Sequence, residues 1–153
     1  MSGDYGLSPA AEAAMLRRWD EESKRRATIV LAGGCFDLFH IGHMRYLEAA
    51  AKMGEVVVGV TRNANVNKGP NRPYYDEKDR LELIKGIRYV KDAILVDSSY
   101  EALNIVQPDI FVKGMEYKGK MLPEDLEFCK ANDVEIRFTN TEEVRPSDRL
   151  RKG

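Results

Sequence analysis

The sequence is poor in the residues that most often carry metal or redox chemistry. Its 153 residues include two cysteines, Cys35 and Cys129, too far apart for a CxxC pair, and two histidines. A disulfide framework and a zinc knuckle are therefore not expected, and a reducing, cytoplasmic setting is the default. Apolar runs are short: none approaches the length of a membrane span, and the first 26 residues contain no signal-like apolar stretch. Nor is there an excess of either charge, with 24 basic against 25 acidic residues. Such a balance gives no general pull toward nucleic acid or an anionic membrane, and no basic stripe interleaved with aromatics is present. Internal repeats and low-complexity tracts are also missing.

What is present is an alternation of short apolar runs with amphipathic ones, at a length suited to one domain. Ser8 and Pro9 open a helix in which Ala13, Leu16 and Trp19 recur at helical spacing. It is expected to lie on the domain or in a dimer contact. Strands are expected at 28–33, 55–61, 92–97, 109–114 and 134–139, all apolar throughout rather than alternately. Helices are expected at 41–54, 76–90, 100–107 and from Pro123 to about Asn132, with 62–75 as a loop rich in proline and asparagine. The pattern predicts a Rossmann-like α/β domain: a doubly wound, five-stranded parallel sheet with an extra N-terminal helix. Residues 1–27 are read as tail and helix, 28–139 as the domain, and 140–153 as a polar C-terminal segment.

Both histidines fall in one stretch, GGCFDLFHIGH (33–43), directly after the first strand. In a doubly wound sheet that is the end where ligands bind. Three residues apart, His40 and His43 point together from the first turn of a helix, where unpaired backbone amides and the positive dipole end favour an anion. Gly33 and Gly34 permit a tight turn, and Gly42 removes a side chain where a ligand would approach. A zinc pair would want HExxH and further ligands nearby, and a dinucleotide site would want GxGxxG; neither is present. A purely structural role remains open for the pair, but a phosphate cradle with two imidazole donors fits best.

The stretch resembles a known family. HIGH matches the HxGH signature of nucleotidyltransferases, and GGCFDLFHIGH is similar to the segment of the cytidylyltransferase-like branch, which includes glycerol-3-phosphate and phosphoethanolamine cytidylyltransferases and heptose 1-phosphate adenylyltransferases. KGPNRP (68–73), DEKDRLELI (76–84), IRYVKDAI (87–94) and DIFVKGMEY (109–117) continue the resemblance in order, so that it covers about 28–139. Its lysine–glycine pair is most like the heptose type. The resemblance implies transfer of a nucleotidyl group from ATP or CTP to a small phosphorylated sugar or alcohol, with release of pyrophosphate and with Mg²⁺ entering on the triphosphate.

By the same resemblance, His40 and His43 would stabilise the transition state and Lys68 would close over the phosphates. Gly34, Cys35, Phe36 and Gly42 would frame the nucleotide, Arg80 would bind a phosphate, and Lys113, Gly114 and Glu116 would lie on the nucleotide side of the crevice. Asp37 would order the turn before the histidines, as a helix cap in one reading; Arg88 and Tyr89 would pack or form an interface. A homodimer is expected. The sequence departs from the family near its end: TEEVRPSDRL (141–150) stands where an ISTT-like segment would grip phosphates, leaving Ser147 as the remaining hydroxyl, with Arg145 and Arg149 able to add charge. A catalytically weakened nucleotide-binding module is therefore the alternative reading.

Overall fold

The computed structural model describes residues 8–24 and 26–140, and side chains over 8–17 and 26–140. Five strands, β1 (Ile29–Gly34), β2 (Glu55–Thr61), β3 (Val90–Val96), β4 (Ile110–Gly114) and β5 (Glu135–Thr139), form one parallel sheet in the order β3-β2-β1-β4-β5. Among the described residues five helices accompany them: α1 (Pro9–Lys24), α2 (Ile41–Ala51), α3 (Glu77–Lys85), α4 (Ser99–Val106) and α5 (Pro123–Ala131). The strand order reverses between β1 and β4, which is the switch point of a doubly wound sheet.

Successive strand residues serve opposite layers, because side chains alternate across a sheet. Val30 and Ala32 of β1 join Val112 of β4 in a core shared with Leu47 of α2 and Ile84 of α3. Leu31, between them, joins Phe111 in a second core with Leu103 of α4 and Phe128 of α5. Burial on both faces explains why the strands read as continuous apolar runs.

Several boundaries differ from the sequence expectation, among them α2, which ends at Ala51 rather than 54, and β3, which begins at Val90 rather than 92. The third helix stops at Lys85 rather than near Val90, because Gly86 caps it and the chain turns through Ile87 into β3 at Val90. A short 3-10 turn at Asn63–Asn65 interrupts the expected 62–75 loop, and another, Met115–Tyr117, follows β4. α1 starts as expected, with Ser8 Oγ accepting from the Ala11 amide at 3.1 Å. However, its apolar stripe is only partly covered over the described side chains: Ala13 is half-buried, whereas Leu16 is 53% exposed. Trp19 lies outside those side chains.

One glycine has a clear steric requirement. A Cβ on Gly54, in the turn from α2 into β2, would fall on the Thr28 carbonyl, which accepts from the Glu55 amide at 2.8 Å. Gly54→Ala should therefore force apart the start of the β1–β2 pairing and cost about 1–3 kcal/mol. Thermal unfolding would check this; an unchanged Tm would show that the turn relaxes freely.

Candidate active site

Beyond the carboxyl ends of the strands lies a cleft of about 640 Å³. Its central wall is the β1–α2 junction. His40 is the N-cap of α2, in extended conformation, and its Nδ1 accepts from the Gly42 amide at 3.0 Å. His43, at the third helical position, returns the interaction: its Nδ1 accepts from the His40 amide at 3.3 Å. The pair forms a reciprocal capping box, with two imidazoles in the places usually taken by a hydroxyl and a carboxylate. The rings stack with centroids 3.9 Å apart and 19° between planes.

This local arrangement decides the chemistry. A ring nitrogen that accepts from an amide carries no proton, so the neutral imidazole proton sits on Nε2 of each histidine. Both Nε2–H groups become donors held at fixed orientation on the cleft wall. Burial, then the charges of His40 and Lys68, lower the His43 pKa to about 4. His43 is therefore a neutral donor at physiological pH.

The sign of the linkage follows. The folded pKa is depressed below 6.5, so the unfolded chain takes up a proton at His43 that the folded chain does not between pH 6.5 and about 4. Stability from this group is fully present above pH 6.5 and falls as the pH drops through that window. An NMR titration of the His43 ring should show a midpoint near 4; a midpoint near 6.5 would mean that the ring is solvated.

Under the histidines, Phe36 adopts φ 51° while only 3% exposed. A left-handed aromatic residue stores strain of about 1–3 kcal/mol, and here its ring meets the His43 ring edge-on at 5.2 Å. Gly34 is needed for that packing, since a Cβ there would come within 3.1 Å of the Phe36 ring. His43 thus rests on a buried aromatic floor.

Asp37 has a different role from a helix cap, which His40 supplies. Its buried carboxylate accepts from Arg72 Nε at 2.7 Å, from the Tyr74 amide at 2.8 Å and from the Tyr75 amide at 2.9 Å. Burial pushes this carboxyl up, but the Tyr75 and Tyr74 amides and Arg72 outweigh it and hold the pKa below the usual value. The turn before the histidines is thereby tied to the far end of the loop that carries Lys68.

Most expected site residues line the cleft together: His40, His43, Lys68, Gly34, Cys35 and Gly42 around the β1–α2 junction, with Phe36 beneath. Lys113, Gly114 and Glu116 line its β4 side. Arg80 departs from expectation. It is 1% exposed and does not line the cleft; Nη1 donates to the Cys35 and Thr61 carbonyls, Nε to the Tyr75 carbonyl and Nη2 to Asn63 Oδ1. Its fork ties the ends of β1 and β2 to the loop behind, a structural use of the five-donor guanidinium. Ser147, Arg145 and Arg149 lie outside the described residues.

Sequence reasoning missed Tyr46, Thr61, Ser98, Ser99, Tyr117 and Thr139 in the cleft wall. Thr61 and Thr139 end their strands and Ser98 follows β3 closely, so the rule that ligands bind beyond strand carboxyl ends would have flagged them. Tyr46 had no such signal. It faces the cleft because its hydroxyl donates to the Val112 carbonyl at 2.9 Å, and burial raises its pKa.

Among the described residues no group of three or more His, Cys, Asp or Glu could hold a metal ion. No helix among them is long and apolar enough to cross a membrane.

Fold and cleft together define a doubly wound α/β domain with a histidine-lined cleft at its switch point. A profile of the cytidylyltransferase-like family matches residues 31–145. The chain belongs to that family of nucleotidyltransferases. It is 43% identical over 102 residues to the bifunctional protein HldE of Nitratiruptor sp., covering 63% of this chain and 22% of that protein. With the bifunctional protein HldE of Streptomyces coelicolor it shares 39% over 122 residues, covering 76% of this chain and 25% of that one. The chain thus spans about a quarter of the length of these relatives. Among solved structures, the lipopolysaccharide core biosynthesis protein from Thermoplasma volcanium matches with a TM-score of 0.64 at 32% identity, over 76% of this chain and 99% of that one. A protein of unknown function from Archaeoglobus fulgidus shares the fold, with a TM-score of 0.54 at 19% identity.

Proposed function

We propose that this chain transfers a nucleotidyl group from ATP or CTP to a small phosphorylated sugar or alcohol and releases pyrophosphate. The observation that carries the reading is the histidine capping box. It presents the Nε2–H groups of two imidazoles as paired donors on the cleft wall, His43 neutral among them, with the Lys68 ammonium close enough to influence it.

The acceptor phosphate oxygen would attack the α-phosphorus in line, with pyrophosphate departing opposite. Such a step needs positioning and charge stabilisation more than covalent help from the protein. The two Nε2–H groups would hold phosphate oxygens as negative charge builds on them, and Lys68 would neutralise the leaving side. Preset donors cost no reorganisation at the moment of reaction. The described carboxylates supply no cage for a divalent ion, so Mg²⁺ would arrive on the triphosphate, bound by phosphates and water, and add charge neutralisation there. Glu116 lines the same cleft.

The lysine–glycine pair at Lys113–Gly114 and the HldE relatives support a sugar phosphate as acceptor, of the heptose 1-phosphate type. Pyrophosphate release with Mg²⁺, from ATP and CTP separately, against a panel of sugar and polyol phosphates tests the reading. Release with one nucleotide and one acceptor class is expected. Nucleotide binding without release across the panel would instead favour a binding module on the same fold.

A further inference from the structure

β1 and β4 are neighbours in the sheet for only part of their length. Pairing runs through Val30 with Ile110 and Leu31 with Phe111 and then stops, although the strands continue to Gly34 and Gly114. Beyond that level each strand stays with its other neighbour. β1 is paired with β2 up to Gly34 opposite Val60, and β4 with β5 up to Gly114 opposite Thr139. The strand-end hydroxyls follow the same division: Thr61 Oγ1 donates to the Gly34 carbonyl at 3.3 Å, and Thr139 Oγ1 to the Lys113 carbonyl at 3.5 Å. The cleft opens at this parting, with Gly33 and Gly34 on one lip and Lys113 and Gly114 on the other.

Backbone groups on the two lips still need partners. At the register of Leu31 and Phe111, the next rung of the ladder would run from the Gly33 amide to the Val112 carbonyl. The Tyr46 hydroxyl stands in that rung, donating to the Val112 carbonyl at 2.9 Å and accepting from the Gly33 amide. Two bonds of ~2.9 Å meeting at one oxygen hold amide and carbonyl roughly 2 Å farther apart than a direct bond would.

This hydroxyl has no proton to spare for a ligand, because its one proton goes to Val112. Burial raises its pKa; the Gly33 amide works against the rise, and Tyr117 and Glu116 from the turn after β4 add to it, so the hydroxyl stays protonated. Tyr46 is therefore neither a donor to phosphate nor an acid or base. What it can set is geometry. It follows His43 by three residues on α2, on the same helical face, so its side chain joins the histidine helix to the far lip.

We propose that Tyr46 is a spacer that sets the width of the cleft: its hydroxyl, inserted between β1 and β4, fixes the distance from the histidine wall to the wall of Lys113 and Gly114, and thereby the alignment of the transferring group. The inference rests on the reading of the cleft as a nucleotidyl-transfer site. A phosphoryl group in transfer must meet both walls at once, and an error of about 1 Å in such an alignment can cost about 10²-fold in rate. Tyr46 is thus a positioning residue, acting through the strands and not on the substrate.

Tyr46→Leu and Tyr46→Phe test this against the unaltered chain, with Gly54→Ala as a control that strains the opposite end of the β1–β2 pairing. Single-turnover transfer from ATP and from CTP, with glycosyl 1-phosphates and glycerol 3-phosphate as acceptors, gives the rate, and steady-state runs give the nucleotide KM. Both Tyr46 variants should lower the rate at saturation about 10–100-fold and leave the nucleotide KM within about threefold. NMR supplies a readout that needs no turnover. A scalar coupling from the Gly33 amide nitrogen to the Val112 carbonyl carbon reports a direct hydrogen bond. It should be absent in the unaltered chain and present in Tyr46→Leu, whose shorter side chain lets the rung close. Rates unchanged in both variants, or lowered equally by Gly54→Ala at a comparable loss of Tm, would overturn the positioning role while leaving the proposed function standing. A coupling in the unaltered chain, or none in Tyr46→Leu, would overturn the spacer itself. No transfer by the unaltered chain would overturn the proposed function, and the coupling would then decide the spacer alone.

Discussion

Replacing His43 with alanine should lower the rate of pyrophosphate release by about 10²–10³-fold, the usual cost of removing one preorganised donor from a developing charge. Alanine removes two things at once. It deletes the Nε2–H donor, and it deletes the Nδ1 acceptor that satisfies the His40 amide at the start of α2. Loss of the cap alone should cost about 1 kcal/mol of stability. His43→Asn separates the two effects. The asparagine Oδ1 can take the place of Nδ1 in the capping box, but its amide nitrogen does not reach as far as Nε2. His43→Asn should therefore regain most of the lost stability and little of the lost rate. His40→Ala should show a similar fall in rate, with the Gly42 amide losing its acceptor. Thermal unfolding and single-turnover kinetics on the same samples would check both parts. Full activity in His43→Asn would mean that the pair acts by shaping the helix start and not by donating to phosphate.

The second large effect is expected at Asp37. Its carboxylate is the shared partner of Arg72 and of two backbone amides, and it has no solvent to replace them. Asp37→Ala leaves a guanidinium and two amides without their acceptor and should cost about 3–5 kcal/mol, the range for breaking a buried charge pair from one side. Because the Asp37 pKa is held below the ordinary carboxylate value, its contribution is present above the unfolded pKa and is lost as the pH falls through the folded one. The difference in stability between the unaltered chain and Asp37→Ala should shrink in acid. A catalytic consequence follows from where the loop ends. Arg72 and Tyr74 close the segment that carries Lys68, so releasing them should loosen Lys68 and raise the nucleotide KM. That part should vanish in a Lys68→Ala background. An undiminished effect in that background would place the influence of Asp37 on the histidine turn instead.

Much of the fold was legible in residue order. Five short apolar runs without alternation read as strands covered on both faces, and most of the helices between them had a start signal or a stop signal. Asp76 caps α3 and Pro123 opens α5, as their residue types suggest. Where the expectation overran, in carrying α3 toward Val90, Ile87 and Tyr89 looked helical because they are apolar at the right spacing. In the structure they pack on the core from a turn instead. Spacing reports which residues are buried, not the backbone that buries them.

The site divides along the same line. HIGH after a glycine-ended strand was enough to place two histidines side by side at the cleft, because sequence neighbours on one helical turn share a face whatever surrounds them. Their tautomers were not readable. They depend on amide–Nδ1 distances that exist only once α2 has formed. Arg80 shows the opposite limit. Its position resembles that of a phosphate ligand, and its charge is right, yet the close approach of β1, β2 and the 63–75 segment encloses it and commits it to three carbonyls and a side-chain amide.

Composition and local pattern therefore settled the class of fold and the end of the sheet that carries the histidine cleft, since those rest on contacts within a few positions. Which side of the cleft each remaining group faces was decided by the tertiary structure. Ser99, Lys113 and Asp125 come from α4, β4 and α5 and meet only because the crossover helices return to one face of a parallel sheet. No spacing in the chain encodes a meeting of that kind; long-range packing does.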